Sequence, residues 1–88
     1  MIKPRGYEIR ITQQAKKDIE RLSPKLRAKL RDILTEVISK TPYEGKKLLG
    51  DLAGNYSYRL SFKDRIVYSI DEPAGIVYLK RARTHYGD

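Results

Sequence analysis

The sequence lacks cysteine and has a single histidine among its 88 residues. Without cysteine there is no disulfide and no thiolate metal site, and one histidine provides too few ligands for a transition-metal centre. A chain without cysteine is compatible with a reducing compartment. No glycine-rich phosphate loop occurs either. We therefore expect no metal, no other cofactor and a cytoplasmic location.

Long hydrophobic runs are also absent. No apolar segment approaches the roughly 20 residues that span a bilayer. Residues 1–6 lack the hydrophobic stretch of a signal peptide. We expect no membrane-spanning segment, and the length predicts a single domain over residues 1–88.

Acidic residues are in the minority. The chain has 11 Asp and Glu against 19 Lys and Arg, a formal net charge of +8. The basic excess is spread over both halves of the chain, which favours a folded basic surface over a basic arm. Such a surface suits a polyanionic partner: RNA, DNA, an acidic protein or an anionic membrane.

Hydrophobic periodicity predicts the element order β-α-α-β-β-β. Residues 7–11 alternate as a strand does, Thr12 is a candidate N-cap, and Ser23-Pro24 separates two helices. Three more strands are predicted over residues 56–62, 65–70 and 76–82. The predicted fold is α+β, with an N-terminal strand and an antiparallel helix hairpin packed on one face of a small, mostly antiparallel sheet.

Two arginines flank the predicted central hairpin, and the loop length decides whether they share a face. A two-residue loop pairs Phe62 with Arg65 and places Arg59 and Arg65 on opposite faces. A three-residue loop pairs Ser61 with Arg65 and Arg59 with Val67, which places both arginines on one face. The second register keeps the apolar residues together on the other face, so it is the one we predict.

The last predicted strand runs into residues 81–88, the most informative segment of the chain. Arg81, Arg83 and His85 have the same parity, so they can share one face of a strand. Histidine exchanges protons near neutral pH, and arginine holds phosphate through paired N–H donors. Tyr86 offers a stacking face or a proton. Together these residue types predict chemistry on a nucleic acid.

Four motifs extend these observations over most of the chain. They are Thr41-Pro42-Tyr43-Glu44-Gly45-Lys46, Leu52-x-Gly54-x-x-Ser57-x-Arg59, Arg65-Ile66-Val67-Tyr68-x-Ile70 and Arg83-x-His85-Tyr86. With the β-α-α-β-β-β order, they resemble the RelE/ParE toxin superfamily, and within it the YoeB/Txe branch.

The resemblance implies a toxin of a type II toxin–antitoxin system. Such a toxin is a ribosome-dependent endoribonuclease that cuts mRNA in the ribosomal A site and inhibits translation. The ribose 2′-hydroxyl attacks the adjacent phosphate and leaves a 2′,3′-cyclic phosphate and a free 5′-hydroxyl. The implied partners are the ribosome and a cognate antitoxin.

The resemblance also implies roles for individual residues. Arg59 and Arg65 resemble the phosphate-stabilising pair, His85 the general acid and Tyr86 its aromatic partner. Arg83 is expected to add phosphate contacts. Arg81 is either a phosphate contact or a solvated strand residue.

The general base is left open. The YoeB branch has a glutamate in the loop before Leu52, where this chain has Lys46-Lys47-Leu48-Leu49-Gly50-Asp51. The candidate bases are Lys46, Lys47, Glu44 and Asp51, and the ribosome is a further source. Lys46 and Lys47 are also predicted to bind RNA.

Two other functions fit parts of the pattern. A ParE-like toxin directed at gyrase has the same fold, although that branch generally lacks the terminal His-Tyr. A basic module that binds RNA or the ribosome without chemistry is the other, because His85 is the one clear acid–base group in the sequence.

Overall fold

The fold is seen in a computed structural model that describes residues 6–84. These residues form a five-stranded sheet in the order β1-β5-β4-β3-β2, in which β1 and β5 are parallel and all other neighbours are antiparallel. The strands are Glu8–Ile11 (β1), Lys46–Lys47 (β2), Asn55–Arg59 (β3), Asp64–Asp71 (β4) and Ile76–Thr84 (β5), and the helices are Gln13–Glu20 (α1) and Pro24–Ile33 (α2). The predicted α+β class is confirmed.

Both helices begin at the predicted caps. Thr12 Oγ1 accepts a hydrogen bond from the backbone N–H of Ala15 at 3.2 Å, and Ser23 Oγ accepts one from Leu26 at 3.2 Å. Pro24 occupies the first turn of α2, where no N–H is needed. These caps satisfy N–H groups that have no partner inside the helix.

The chain leaves regular helical geometry after α2. Residues Leu34–Ile38 form a π-helical turn, in which the Ser39 N–H donates to the Leu34 carbonyl at 2.9 Å. The Thr35 and Ser39 hydroxyls donate to carbonyls one turn earlier, each at 2.9 Å. Such side-chain bonds compete with the hydrogen-bond ladder of a regular helix.

The core lies between the helices and one face of the sheet. Helices and strands contribute to a single cluster of buried apolar side chains, namely Ala15, Leu22, Leu30, Leu34, Ile38, Leu60, Ile66, Tyr68, Val77, Leu79 and Ala82. None of the helices within residues 6–84 has the length and hydropathy that a membrane crossing requires.

The central hairpin has a different register from the predicted one. Arg59 pairs directly with Arg65, and Ser57 pairs with Val67, so the predicted pairing of Arg59 with Val67 is wrong by two residues. The cause is a turn that lies one residue earlier in the chain, because the N–H groups of Leu60 and Ser61 both bond to the Asp64 carbonyl, at 2.8 and 3.0 Å. A shift of two residues preserves the faces, so the prediction that both arginines share one face is confirmed.

Glycine is required at position 45 because a side chain would not fit there, and not because the backbone adopts a conformation that only glycine favours. Its φ of −71° is open to any residue. A Cβ at this position would collide with the hydroxyl of buried Tyr68 and would lie 2.8 Å from the Ser57 carbonyl oxygen. The same Tyr68 hydroxyl donates to the Pro42 carbonyl at 2.7 Å, so the loop before β2 packs closely against β4.

Gly45→Ala should lower the free energy of unfolding by about 1–3 kcal/mol, because the added methyl group overpacks this contact. Urea denaturation measures the change. In a Tyr68→Phe background the same substitution should cost less, since the nearest obstructing atom is gone. Equal costs in the two backgrounds would show that the hydroxyl is not the obstacle.

Candidate functional site

Three arginines lie side by side on the sheet face opposite the helices. Arg59 on β3 pairs with Arg65 on β4, and Arg65 pairs with Arg83 on β5. Neighbouring strands lie about 4.8 Å apart, so the three Cα atoms span roughly 10 Å. We refer to Arg59, Arg65 and Arg83 as the arginine row.

The arginine row is unfavourable for the sheet itself. Like charges directly opposite each other on neighbouring strands are destabilising. Arg59 is exposed and Arg65 is half-buried, and neither forms an ion pair with a carboxylate within residues 6–84. Two guanidinium groups opposite each other, Arg59 and Arg65, can together contact an anion such as phosphate.

A β-bulge brings Arg83 into the row. Val67 pairs with Arg81 and Tyr68 pairs with Leu79, so Lys80 is the extra residue on β5. Without the bulge, strand alternation would direct Arg81 and Arg83 to the same face as Leu79, which is in the core. The bulge reverses the alternation, so Arg83 pairs with Arg65 on the open face, whereas the Arg81 guanidinium bonds to Asp18 of α1.

Arg81 is held by an acidic residue of α1. Its Nε lies 2.8 Å from Oδ2 of Asp18, which is buried with 7% of its side chain exposed. Ala82 N–H donates to the same oxygen at 3.0 Å. The structure therefore gives Arg81 a protein partner, and its phosphate contact stays a prediction.

The Asp18 carboxylate replaces a missing strand neighbour. The pairing of β1 with β5 ends at Leu79, so the Ala82 N–H has no strand beside it. Burial by itself would raise the pKa of Asp18, but the hydrogen bonds from Arg81, Ala82 and Gln14 outweigh it and hold the pKa below its ordinary value. The carboxylate therefore remains charged at neutral pH.

A cleft of about 470 Å³ opens beside the arginine row. Arg59 lines it and so belongs to both features. The other charged side chains of the cleft are Lys29 from α2, Glu44 from the loop before β2, and Lys46 from β2, and Phe62 lies on the loop after β3. A proton acceptor and three cations thus surround one space.

The structure separates the two lysines predicted to bind RNA. Lys46 pairs with Ser57, whose face carries the arginine row. Lys47 pairs with Tyr56 and lies on the opposite face. Lys46 is therefore close to the predicted phosphate site and Lys47 is not.

The four candidate bases are separated in the same way. Asp51 lies on the turn Gly50–Leu52 and does not line the cleft. Glu44 and Lys46 both line it together with Arg59. The structure brings this pair, and not Lys47 or Asp51, to the candidate site.

Tyrosines hold the loop that carries Glu44. Tyr43 and Tyr56 meet edge to face with ring centroids 5.7 Å apart, and Tyr56 stacks on Tyr68 at 5.8 Å. The Tyr43 hydroxyl donates to Glu72 at 2.7 Å, and this hydrogen bond raises the pKa of Tyr43 to about 12. Burial raises the pKa of Tyr68 to about 12. Both hydroxyls therefore remain hydrogen-bond donors at neutral pH.

Two predicted catalytic residues, His85 and Tyr86, lie outside the described residues. Thr84 is the last described residue, and it pairs with Asp64 next to the Arg65–Arg83 pair. The roles of His85 and Tyr86 therefore stay predictions.

Sequence reasoning missed three residues of the site, Asp18, Lys29 and Phe62. Asp18 sits among the charged residues of an amphipathic helix, and the single aspartate carries no local sign of burial. Lys29 is one of many helical lysines. The available signal for Phe62 is its place in a hairpin turn, where an aromatic residue has little to pack against.

Solved structures provide the decisive comparison. A chain of the toxin–antitoxin complex RelBE2 from Mycobacterium tuberculosis is 30% identical, with a TM-score of 0.83 over 91% of this chain and 99% of that chain. This protein belongs to the RelE/ParE toxin superfamily. The predicted family is confirmed.

YoeB proteins are among the other structures similar to this RelE-type toxin. The YoeB/ParE toxin from Agrobacterium tumefaciens is 26% identical, with a TM-score of 0.79 over 90% of this chain and 99% of that chain. A chain of the YoeB–YefM complex from Staphylococcus aureus is 25% identical, with a TM-score of 0.73 over 91% and 98% of the two chains. No protein-family model and no curated protein sequence matches the toxin.

Asp18→Ala should lower the free energy of unfolding of the toxin by about 1–3 kcal/mol, because it leaves the buried Ala82 N–H without an acceptor. The folded-state pKa of Asp18 is lowered, so its stabilisation is present above about pH 4 and is lost as the pH falls through the folded-state value. Urea denaturation between pH 7 and pH 3 measures both effects. Asp32→Ala, an exposed helical aspartate, is the control, and an equal loss in both variants would contradict the role of Asp18.

Proposed function

We propose that this toxin is a ribosome-dependent endoribonuclease that cleaves mRNA in the A site and thereby inhibits translation. The observation that carries the proposal is the arginine row, in which Arg59 and Arg65 lie opposite each other beside a cleft that contains a carboxylate and two lysines. Structures of related toxins in complex with antitoxins support a cognate antitoxin as its protein partner.

The arginine row fits the phosphate at the scissile bond. Guanidinium groups bind phosphate oxygens through paired, charge-assisted hydrogen bonds. During cleavage negative charge increases on the phosphate oxygens, and groups fixed in position before the reaction stabilise that charge most effectively. Because the row lies on paired strands, its Cα positions are held by the sheet.

The reaction needs one proton acceptor and one proton donor. The acceptor removes the proton of the ribose 2′-hydroxyl as its oxygen bonds to phosphorus, and the donor protonates the 5′-oxygen as the phosphorus–oxygen bond breaks. We assign the acceptor to the Glu44 and Lys46 pair in the cleft. We assign the donor role to His85, with Tyr86 beside it, on the family resemblance of the Arg83-x-His85-Tyr86 motif.

The nucleophile belongs to the substrate, which makes RNA the substrate class. DNA has no 2′-hydroxyl and cannot react in this way. The products are a 2′,3′-cyclic phosphate and a free 5′-hydroxyl. The open sheet face encloses little of a single-stranded RNA, so the ribosome is needed to hold the mRNA in line for attack.

Purified toxin should cut mRNA on programmed ribosomes, and cleavage of the same RNA without ribosomes should be far slower. His85→Ala and Arg65→Gln should each reduce the single-turnover rate by on the order of 100-fold or more, because one removes the acid and the other a phosphate contact. Primer extension maps the cut, and urea denaturation checks folding.

Four results would contradict this proposal. Full activity of His85→Ala would exclude the acid role, and rapid cutting of naked RNA would exclude the need for the ribosome. Ribosome binding by the toxin without cleavage would identify a non-catalytic module. Inhibition of gyrase in place of translation would identify a ParE-like activity.

One member of the Glu44 and Lys46 pair should be essential for the rate. Replacing the base lowers the rate constant by on the order of 10²–10⁴-fold, whereas losing a peripheral charge lowers it far less. Glu44→Gln and Lys46→Met are compared with Asp51→Asn and Lys47→Met under single-turnover conditions. Near wild-type rates for both Glu44→Gln and Lys46→Met would show that the base lies outside the cleft.

A further inference from the structure

Phe62 is the most exposed large apolar side chain in the described part of the chain, with 90% of its surface accessible. It is also the single phenylalanine of the sequence. It lies on the loop between β3 and β4 and lines the cleft that contains Arg59. An exposed apolar residue on its own is ordinary, but its position at this cleft is informative.

The loop holds Phe62 outward on a fixed backbone. Leu60, on one side, is fully buried, and Asp64, on the other, is 8% exposed. Ser61 Oγ donates to the Asp64 carboxylate at 2.7 Å and accepts from the Lys63 and Asp64 N–H groups at 3.3 and 3.1 Å. The turn is thus bonded internally, so a ligand that contacts Phe62 has little loop entropy to overcome.

The surroundings of Phe62 favour a nucleobase over an apolar protein segment. The cleft also presents Lys29, Glu44, Lys46 and Arg59, so charged side chains line the same space as the aromatic ring. Single-stranded nucleic acids bind where aromatic faces for the bases accompany cations for the backbone. The volume of the cleft, about 470 Å³, lies in the usual range for small-ligand sites.

We infer that Phe62 stacks on a base of the RNA whose phosphate contacts the arginine row, and that the cleft is the subsite for that nucleotide. Arg59 connects the two, because it belongs to the row and lines the cleft. This inference rests on the proposed function and adds to it a base-binding residue. Stacking depends weakly on base identity, so the subsite contributes affinity more than sequence preference.

Variants at Phe62 separate stacking from simple apolar contact. Phe62→Ala should weaken productive binding of ribosomal mRNA by on the order of 10-fold, seen as a rise in KM. Phe62→Leu should behave like Phe62→Ala because it keeps apolar area without an aromatic face, and Phe62→Trp should restore binding. Leu49→Ala is the matched control, since Leu49 is 81% exposed and does not line the cleft.

Abasic mRNA substrates identify the base. The base is removed at one position at a time around the cut, and each substrate is tested with the wild-type toxin and Phe62→Ala. If Phe62 stacks on one base, the penalty of Phe62→Ala disappears for the substrate that lacks that base and persists for the others.

The outcomes distinguish this inference from the proposed function. Absence of cleavage by the wild-type toxin would overturn the proposed function and this inference with it. Cleavage by the wild-type toxin together with an unaffected Phe62→Ala, a fully active Phe62→Leu or a penalty that persists on every abasic substrate would overturn the inference alone. Loss of antitoxin binding by Phe62→Ala with normal cleavage would assign Phe62 to the protein interface and also overturn it.

Discussion

The arrangement of the site depends on one buried carboxylate. Strand β1 stops before β5 does, and Asp18 of α1 takes the place of the missing neighbour by accepting from Ala82 N–H and Arg81. This contact joins the helix layer to the part of β5 that carries Arg83. The Asp18 carboxylate bonds to a backbone N–H and to a guanidinium group of β5. It therefore fixes the end of this strand without a further strand beside it.

The two faces of the sheet serve opposed physical requirements. The face toward the helices is apolar, and its buried residues supply the stability of the fold. The open face carries arginines on three adjacent strands, and the directly opposed Arg59 and Arg65 lower stability, while we assign them to phosphate binding. A small domain tolerates this arrangement because the arginines lie on a solvent-facing side of the sheet, where water and salt screen their repulsion.

Sequence patterns predicted the fold better than the site. Thr12 and Ser23 act locally, so their caps could be recognised from neighbouring residues. The residue pattern also identified four of the five strands. The register of Arg59 was missed because the turn geometry depends on Ser61 and Asp64 hydrogen bonds. The two-residue strand β2 is too short for periodicity. Asp18 and Lys29 reach the site through tertiary contacts, which one sequence does not specify.

The bulge at Lys80 has a consequence for how the chain can vary in length. Residues before it and after it alternate in opposite phase: Leu79 and Ala82 are both buried, although residues three apart in a regular strand lie on opposite faces. Loss of Lys80 would remove the bulge and leave Ala82 on the interior side and Arg83 on the open face, because every other residue keeps its partner on β4. Loss of Ala82 would instead carry Arg83 to the interior side, because it removes one step of the alternation after the bulge. The effect of a one-residue deletion in β5 therefore depends on whether it falls at the bulge or after it.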